Sequence, residues 1–295
     1  MIRPMLAWAA IGCAALASPR ASGADPRLPV DIYLVAGQSN AAGRGILANL
    51  PGGFVPDNRA WLYHSPHLKS TSPALTWAPL RAATEQAGWF GPELSLGTRL
   101  QQLARDRPVA IIKHAFSATD LAGAWNPGKD PADRAHWGMQ FEAFVGTVEA
   151  GLRAMRDMGF EPTIRGMAWQ QGESDADFLK PSQDYAANLA RFIARVREQF
   201  RSPDMVFVYG FVLPFPNKQP FREQVRMAQG AVDQDSGSPW AVKKAFVVFT
   251  DDLSHIAHDA NSPDPNDHVH IGTAGMIELG RRMAETMAGK GKLAR

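Results

Sequence analysis

The 295-residue chain is 45% hydrophobic and 20% charged, ordinary for a globular protein with a sizeable core. Arg3 and Arg20 lie in a leader that holds no acid, and the rest balances 29 basic against 29 acidic residues; this excludes a general nucleic-acid or anionic-membrane surface. The sole cysteine, Cys13, is also in the leader, so the remainder has no disulfide, thiol nucleophile or cysteine-based metal site.

In chain order, Arg3, a short apolar stretch over 5–17 and the small-residue sites Ala15-Leu16-Ala17 and Ser22-Gly23-Ala24 read as a secretory signal peptide over 1–24. The stretch is too short for a membrane span. Ile11-Gly12-Cys13 is a partial lipobox, with Ala10 a poor residue in its first position, so lipid anchoring at Cys13 is the lesser alternative. Residues 25–295 are expected to form one domain, secreted or periplasmic.

The apolar run over 30–36 reads as a buried parallel strand and leads straight into Gly37-Gln38-Ser39-Asn40-Ala41. A serine at the carboxyl end of the first strand of an open α/β sheet sits where such sheets bind ligands. Ser39 is therefore a nucleophile candidate, although a serine there also serves as a helix N-cap. Further strand-like runs fall at 109–115, 164–169, 205–212 and 245–250. Helical periodicity covers 93–105, 141–158, 185–200, 219–232 and 274–287. This alternation predicts βαβ units and a three-layer α/β/α sandwich around a mostly parallel five-stranded sheet. Two long polar segments, 47–91 and 251–270, have the length of functional loops.

Each later strand end carries polar groups. Lys113-His114-Ala115-Phe116-Ser117-Ala118-Thr119 closes the second strand, and its loop amides can face the Ser39 crevice. Trp169-Gln170-Gln171-Gly172-Glu173-Ser174-Asp175 closes the third. Gln171 there offers an amide to a developing oxyanion, whereas Ser174 and Asp175 can also act as helix caps. Near the C-terminus, Asp267-His268-Val269-His270 places an acid three residues before a histidine. On one turn the Asp267 carboxylate can accept from Nδ1–H of His270, leaving Nε2 for a serine. His255, His258, Asp259 and His268 form a histidine-rich loop without strong zinc spacing, so no metal or other cofactor is expected.

The order of these blocks resembles the SGNH hydrolase superfamily. The wording Gly-Gln-Ser-Asn, Trp-x-Gln-Gly-Glu-Ser-Asp and Phe90-Gly91-Pro92-Glu93 resembles carbohydrate esterase family 6 more narrowly, with its acetylxylan esterases and related sialate O-acetylesterases. The resemblance spans 30–288 and implies an SGNH, flavodoxin-like fold. It implies Ser39 as nucleophile, His270 as base and Asp267 as the orienting acid. It also implies an oxyanion hole from the Ser39 N–H, a second-block amide and Gln171. Gln38, Asn40 and Glu173 would support the site, Glu173 by hydrogen bonds or as an alternative triad acid. The chain departs from the family at Ala41, where Met is usual, at Ser117-Ala118, where Gly-Gly is usual, and at Asp120. Ser117 is the expected amide donor and Ala118 the alternative.

The resulting expectation is a serine esterase that removes O-acetyl groups from an acetylated oligo- or polysaccharide, as acetylxylan esterases do. Activity on sialate or another acetylated sugar, and a non-catalytic carbohydrate-binding relative, are the alternatives. Trp61, Trp77, Trp89 and Trp125 are candidates for an aromatic-lined sugar cleft.

Overall fold

The computed structural model describes residues 27–214 and 219–290. The leader and Cys13 lie outside the described residues. The main sheet consists of β1 (Leu28–Gly37), β2 (Trp61–His64), β3 (Ala78–Pro79), β4 (Val109–Ala115), β5 (Phe160–Gln170), β6 (Val206–Gly210) and β7 (Ala245–Val248). Their spatial order is β7-β6-β5-β1-β4-β2-β3. Every pairing is parallel except β2 with β3 at the edge.

The helices are α1 (Ser39–Ala42), α2 (Glu93–Ala104), α3 (Met139–Asp157), α4 (Leu179–Gln199), α5 (Arg222–Val232) and α6 (Thr273–Lys290). One core joins Ile32, Leu34 and Trp169 to Phe144 of α3, Leu189 of α4 and Val225 of α5. The other joins Tyr33, Val35 and Val208 to Leu96 of α2 and Leu279 of α6. Successive residues of β1 thus feed opposite cores, which is why its buried run is apolar throughout rather than alternating. Asp31 is the exception. It is buried at the start of β1 and held by Arg107 at 3.1 Å and Arg165 at 2.8 Å.

The three-layer α/β/α architecture is as expected, but the sheet has seven strands rather than five. The five expected strands form the contiguous set β7-β6-β5-β1-β4, in the doubly wound order of flavodoxin-like sheets. The two extra strands come from the segment over 47–91 that reads as a polar loop. β2 spans only four residues and β3 two, too short for a recognisable period, and their pairing partners are distant in sequence. Pro79 is tolerated because β3 is an edge strand. Helix α4 begins six residues before the apolar period does, with Pro181 in its first turn, where no donor is needed.

The topology places β1 between β4 and β5, so the connections from it diverge to opposite sides. A crevice opens at the carboxyl ends of strands at such a point.

Candidate active site

The turn after β1 is set by backbone geometry. Gly37 has φ of 135°, and a Cβ there would collide with the Gln170 carbonyl of the adjacent strand. Only glycine meets both conditions at low cost. The chain then enters α1 directly at Ser39, whose N–H, as the first of a helix, has no acceptor within it. Beneath this turn, fully buried Lys113 of β4 donates to the Ala42 carbonyl at 2.8 Å and to Glu93. The other oxygen of Glu93 accepts from the N–H groups of Ala83 and Gly91, so the pair is satisfied where it is buried.

Ser39 faces the loop that precedes α6. His270 Nε2 lies 2.9 Å from Ser39 Oγ, and His270 Nδ1 lies 2.6 Å from Asp267 Oδ2. Asp267 Oδ1 accepts from the N–H groups of Val269 and His270, both at 3.1 Å. Partial burial opposes ionisation of Asp267, but its hydrogen bonds and the facing His270 outweigh that and hold the carboxyl below the usual range. A carboxylate on Nδ1 leaves Nε2 as proton acceptor for the serine hydroxyl.

Asn40 ties the serine turn to the histidine loop. Its Nδ2 donates to Val269 O at 3.1 Å, and its Oδ1 accepts from Ile271 N at 2.9 Å, so it grips the backbone on both sides of His270. The same Nδ2 donates to Glu173 Oε1 at 2.7 Å. Glu173 is buried, which pushes its carboxyl up, and Oε2 has no partner among the described residues. Glu173 thus contacts Asn40, whereas Asp267 contacts His270. The geometry favours the first of the two acids as support and the second as the orienting group.

The oxyanion side departs from expectation at two residues. The Ser117 N–H donates to Glu85 Oε1 at 2.8 Å, and its hydroxyl engages the same carboxylate as well as Arg44 at 2.9 Å. It is not a free donor. Ala118 follows at φ of 55°, the left-handed conformation that glycine favours, so the loop keeps that shape without glycine at a cost of about 1–3 kcal/mol. Gln171 is fully buried. Its Nε2 lies within 3.2 Å of Gln38 Oε1, Thr119 O and Asp175 Oδ2, which uses both amide hydrogens. Its own Oε1 accepts from Tyr185. Asp175 also receives the N–H groups of Leu121 and Ala122, and burial pushes its carboxyl up to about 7. Gln171 and Asp175 therefore buttress the 116–122 loop instead of facing Ser39.

Ser39 and His270 share a cleft of about 260 Å³ with Gln38, Ala118, Ser174 and Arg44. An adjoining cavity of about 380 Å³ brings in Asp264 and Asp267. Asp177, Gln219, Val269 and His270 line both. Arg44, Glu85, Asp177 and Gln219 carried no sequence signal, because they come from loops outside any strand-end block. The tryptophans do not form the expected sugar cleft. Trp125 is buried against Trp169, Trp77 donates to the Gly151 carbonyl, and Trp61 packs on Phe160. Trp89 stands near the cleft, under the Arg44 guanidinium at 4.8 Å.

His255, His258 and His268 gather with ring centroids 5.5–5.7 Å apart. Asp259 turns away to the N–H and hydroxyl of Thr273. Among the described residues no group of three His, Cys, Asp or Glu is arranged to hold a metal, and no helix is long and apolar enough to cross a membrane.

A family model described as carbohydrate esterase, sialic acid-specific acetylesterase, matches residues 29–289. A protein of Arabidopsis thaliana named "Probable carbohydrate esterase" is 23% identical over 280 residues, covering 88% of this chain and 91% of its own. The X-ray structure of that Arabidopsis protein superposes with a TM-score of 0.65 at 18% identity, over 88% of this chain and 98% of that one. The crystal structure of NanS gives 0.65 at 15% identity, over 89% and 98%. At these identities the two structures speak for the fold alone.

Proposed function

The chain belongs to the sialic acid-specific acetylesterase family of carbohydrate esterases, and on that premise we propose that it is a serine-dependent O-acetylesterase acting on an acetylated sugar. The observation that carries this reading is the continuous contact from Ser39 Oγ through His270 to Asp267. Ser39 Oγ attacks the acetyl carbonyl while His270 Nε2 takes its proton. The tetrahedral intermediate collapses to an acetyl-Ser39 ester, and the sugar oxygen leaves with the proton from His270. Water, deprotonated by His270, then attacks the acetyl-enzyme; acetate departs and Ser39 regains its proton. The Ser39 and Ala118 N–H groups are the backbone donors to the oxyanion, Ala118 replacing Ser117.

The family's description as an acetylesterase supports an acetyl group, and the cleft mouth bears on the sugar. Asp177 and Asp264 stand at the rim, while the nearby cation, Arg44, lies 3.6 Å from Glu85. A mouth of that charge favours a neutral acetylated sugar, as in acetylated xylan, over one with a carboxylate. The family's description favours the second reading, an acetylated sialic acid. We place the enzyme outside the cytoplasm, with 1–24 as signal peptide and 25–295 as one catalytic domain; anchoring at Cys13 is the alternative. A non-catalytic carbohydrate-binding role has little support, since the serine, histidine and carboxylate are in hydrogen-bond contact.

Acetate release from acetylated xylan, acetylated sialic acid and acetylated pectin, with Ser39→Ala in parallel, tests both levels. The expected result is release from xylan above the others and none from Ser39→Ala. Equal release by the variant and the unaltered protein ends the esterase reading. Release from sialic acid alone overturns the neutral-sugar preference.

A further inference from the structure

The oxyanion side lacks the side-chain donor that Gln171 was expected to supply, and an amide one residue before the nucleophile is oriented to replace it. Gln38 is 4% exposed and lines the same cleft as Ser39, Ala118 and His270. Its Oε1 is the focus of three donors: Gln171 Nε2 at 3.2 Å, Gly172 N at 3.4 Å and Ser174 N at 3.2 Å. Two of these are backbone N–H groups, which can meet only an acceptor, so the side chain has a single consistent orientation. Its NH₂ end is therefore turned away from the 171–174 backbone and makes no hydrogen bond among the described residues. The nitrogen is not among the buried unpartnered atoms, so it opens on the cleft, where it is available to an acceptor that arrives or forms there. The charge that develops in this cleft during ester cleavage is such an acceptor.

We propose that Gln38 is a catalytic residue whose Nε2–H donates to the tetrahedral oxyanion, beside the Ser39 and Ala118 N–H groups. The proposal rests on the esterase reading above. The Gly172 and Ser174 N–H groups, with Gln171 Nε2 beside them, then aim Gln38 through its Oε1. Ser39 at the start of α1, Ala118 of the 116–122 loop and Gln38, whose oxygen is held by the 171–174 turn, all line this cleft. None of them needs to move as the reaction proceeds, which is what makes such donors effective.

Two variants separate donation from mere support. Gln38→Glu keeps an oxygen for the three donors and loses the amide hydrogens, whereas Gln38→Met loses both. p-Nitrophenyl acetate is the substrate, because it has no sugar hydroxyl with which Gln38 could interact. With both variants shown to be folded by circular dichroism, kcat is expected to fall about 10²–10³-fold in each, with KM changed far less. Recovery of near-normal kcat in Gln38→Glu, with loss in Gln38→Met, overturns the proposal in favour of a purely accepting role. Normal kcat in both also overturns it, provided Ser39→Ala is inactive. A rise in KM for acetylated xylan, with normal kcat on p-nitrophenyl acetate, would make Gln38 a sugar contact instead. Absence of any Ser39-dependent turnover in the unaltered protein defeats the esterase reading itself, and the proposal with it.

Discussion

The two walls of the Ser39 cleft are built differently. The histidine wall is held by short-range geometry: Asp267 and His270 are three residues apart, and one carboxylate binds both the ring and the backbone of that turn. Asn40 fastens the turn to the serine turn from both sides of His270. The opposite wall is assembled from the 116–122 loop, the 171–175 turn, Glu85 and Tyr185, and apart from the Gln171–Asp175 contact the bonds that orient it join residues 14 or more apart in sequence. A group carried by a local turn keeps its role whatever its neighbours do, whereas a group in a shared network goes to whichever partner wins.

Substitutions on the two walls should separate accordingly. Ser39→Ala, between them, should lower kcat by at least about 10⁴-fold, measured by acetate release. Asp267→Asn should cost about 10³–10⁴-fold in kcat through loss of the correct histidine tautomer. Glu173→Gln should keep kcat within about tenfold, since a neutral amide can still accept from Asn40. Should the two acids show the reverse ranking, Glu173 is the orienting acid and the assignment of the histidine wall breaks.

Asn40→Ala should destabilise the protein by about 2–4 kcal/mol in urea unfolding, because it strands the Ile271 N–H, the Val269 carbonyl and Glu173 together. It should also lower kcat, as the turn bearing His270 loses its tie. Gln171→Met should cost about 1–3 kcal/mol of stability by leaving Asp175 and Tyr185 short of a partner, with kcat within about tenfold. A collapse of kcat at unchanged stability would instead return Gln171 to the oxyanion.

The smallest effect is one of pH. The Asp267 carboxyl is held below its unfolded value, so its contribution to stability is fully present above about pH 4 and is lost as pH falls through the lower folded value. The urea midpoint of Asp267→Asn should lie below that of the unaltered protein near neutrality, and the gap should narrow in acid. A gap independent of pH would show that the carboxylate charge contributes nothing to the fold.

Much of the architecture was legible because it is periodic. The apolar run over 30–36 could only be a central strand, and each of the five main helices lies close to its apolar repeat. The strands Trp61–His64 and Ala78–Pro79 were not legible, because a four-residue and a two-residue strand exist only by pairing with β4 and with each other. Arg44 and Glu85 were hidden for the same reason: nothing near them in sequence marks that they would close around Ser117. The aromatic cleft failed because a tryptophan in a loop-like segment can still reach a core, as Trp125 does.

By itself the sequence determined the alternation of strands and helices, the placement of Ser39 at a strand end and the Asp267–His270 turn. Each of these depends on residues within one helical turn or one strand of each other. Only the tertiary structure decided where the amides of the opposite wall point. Gln171, Gln38 and Ser117 each have more than one possible partner. The choice fell to partners tens of residues away, Asp175 and Tyr185 excepted, where burial makes an unpaired hydrogen-bonding group more costly than any local preference.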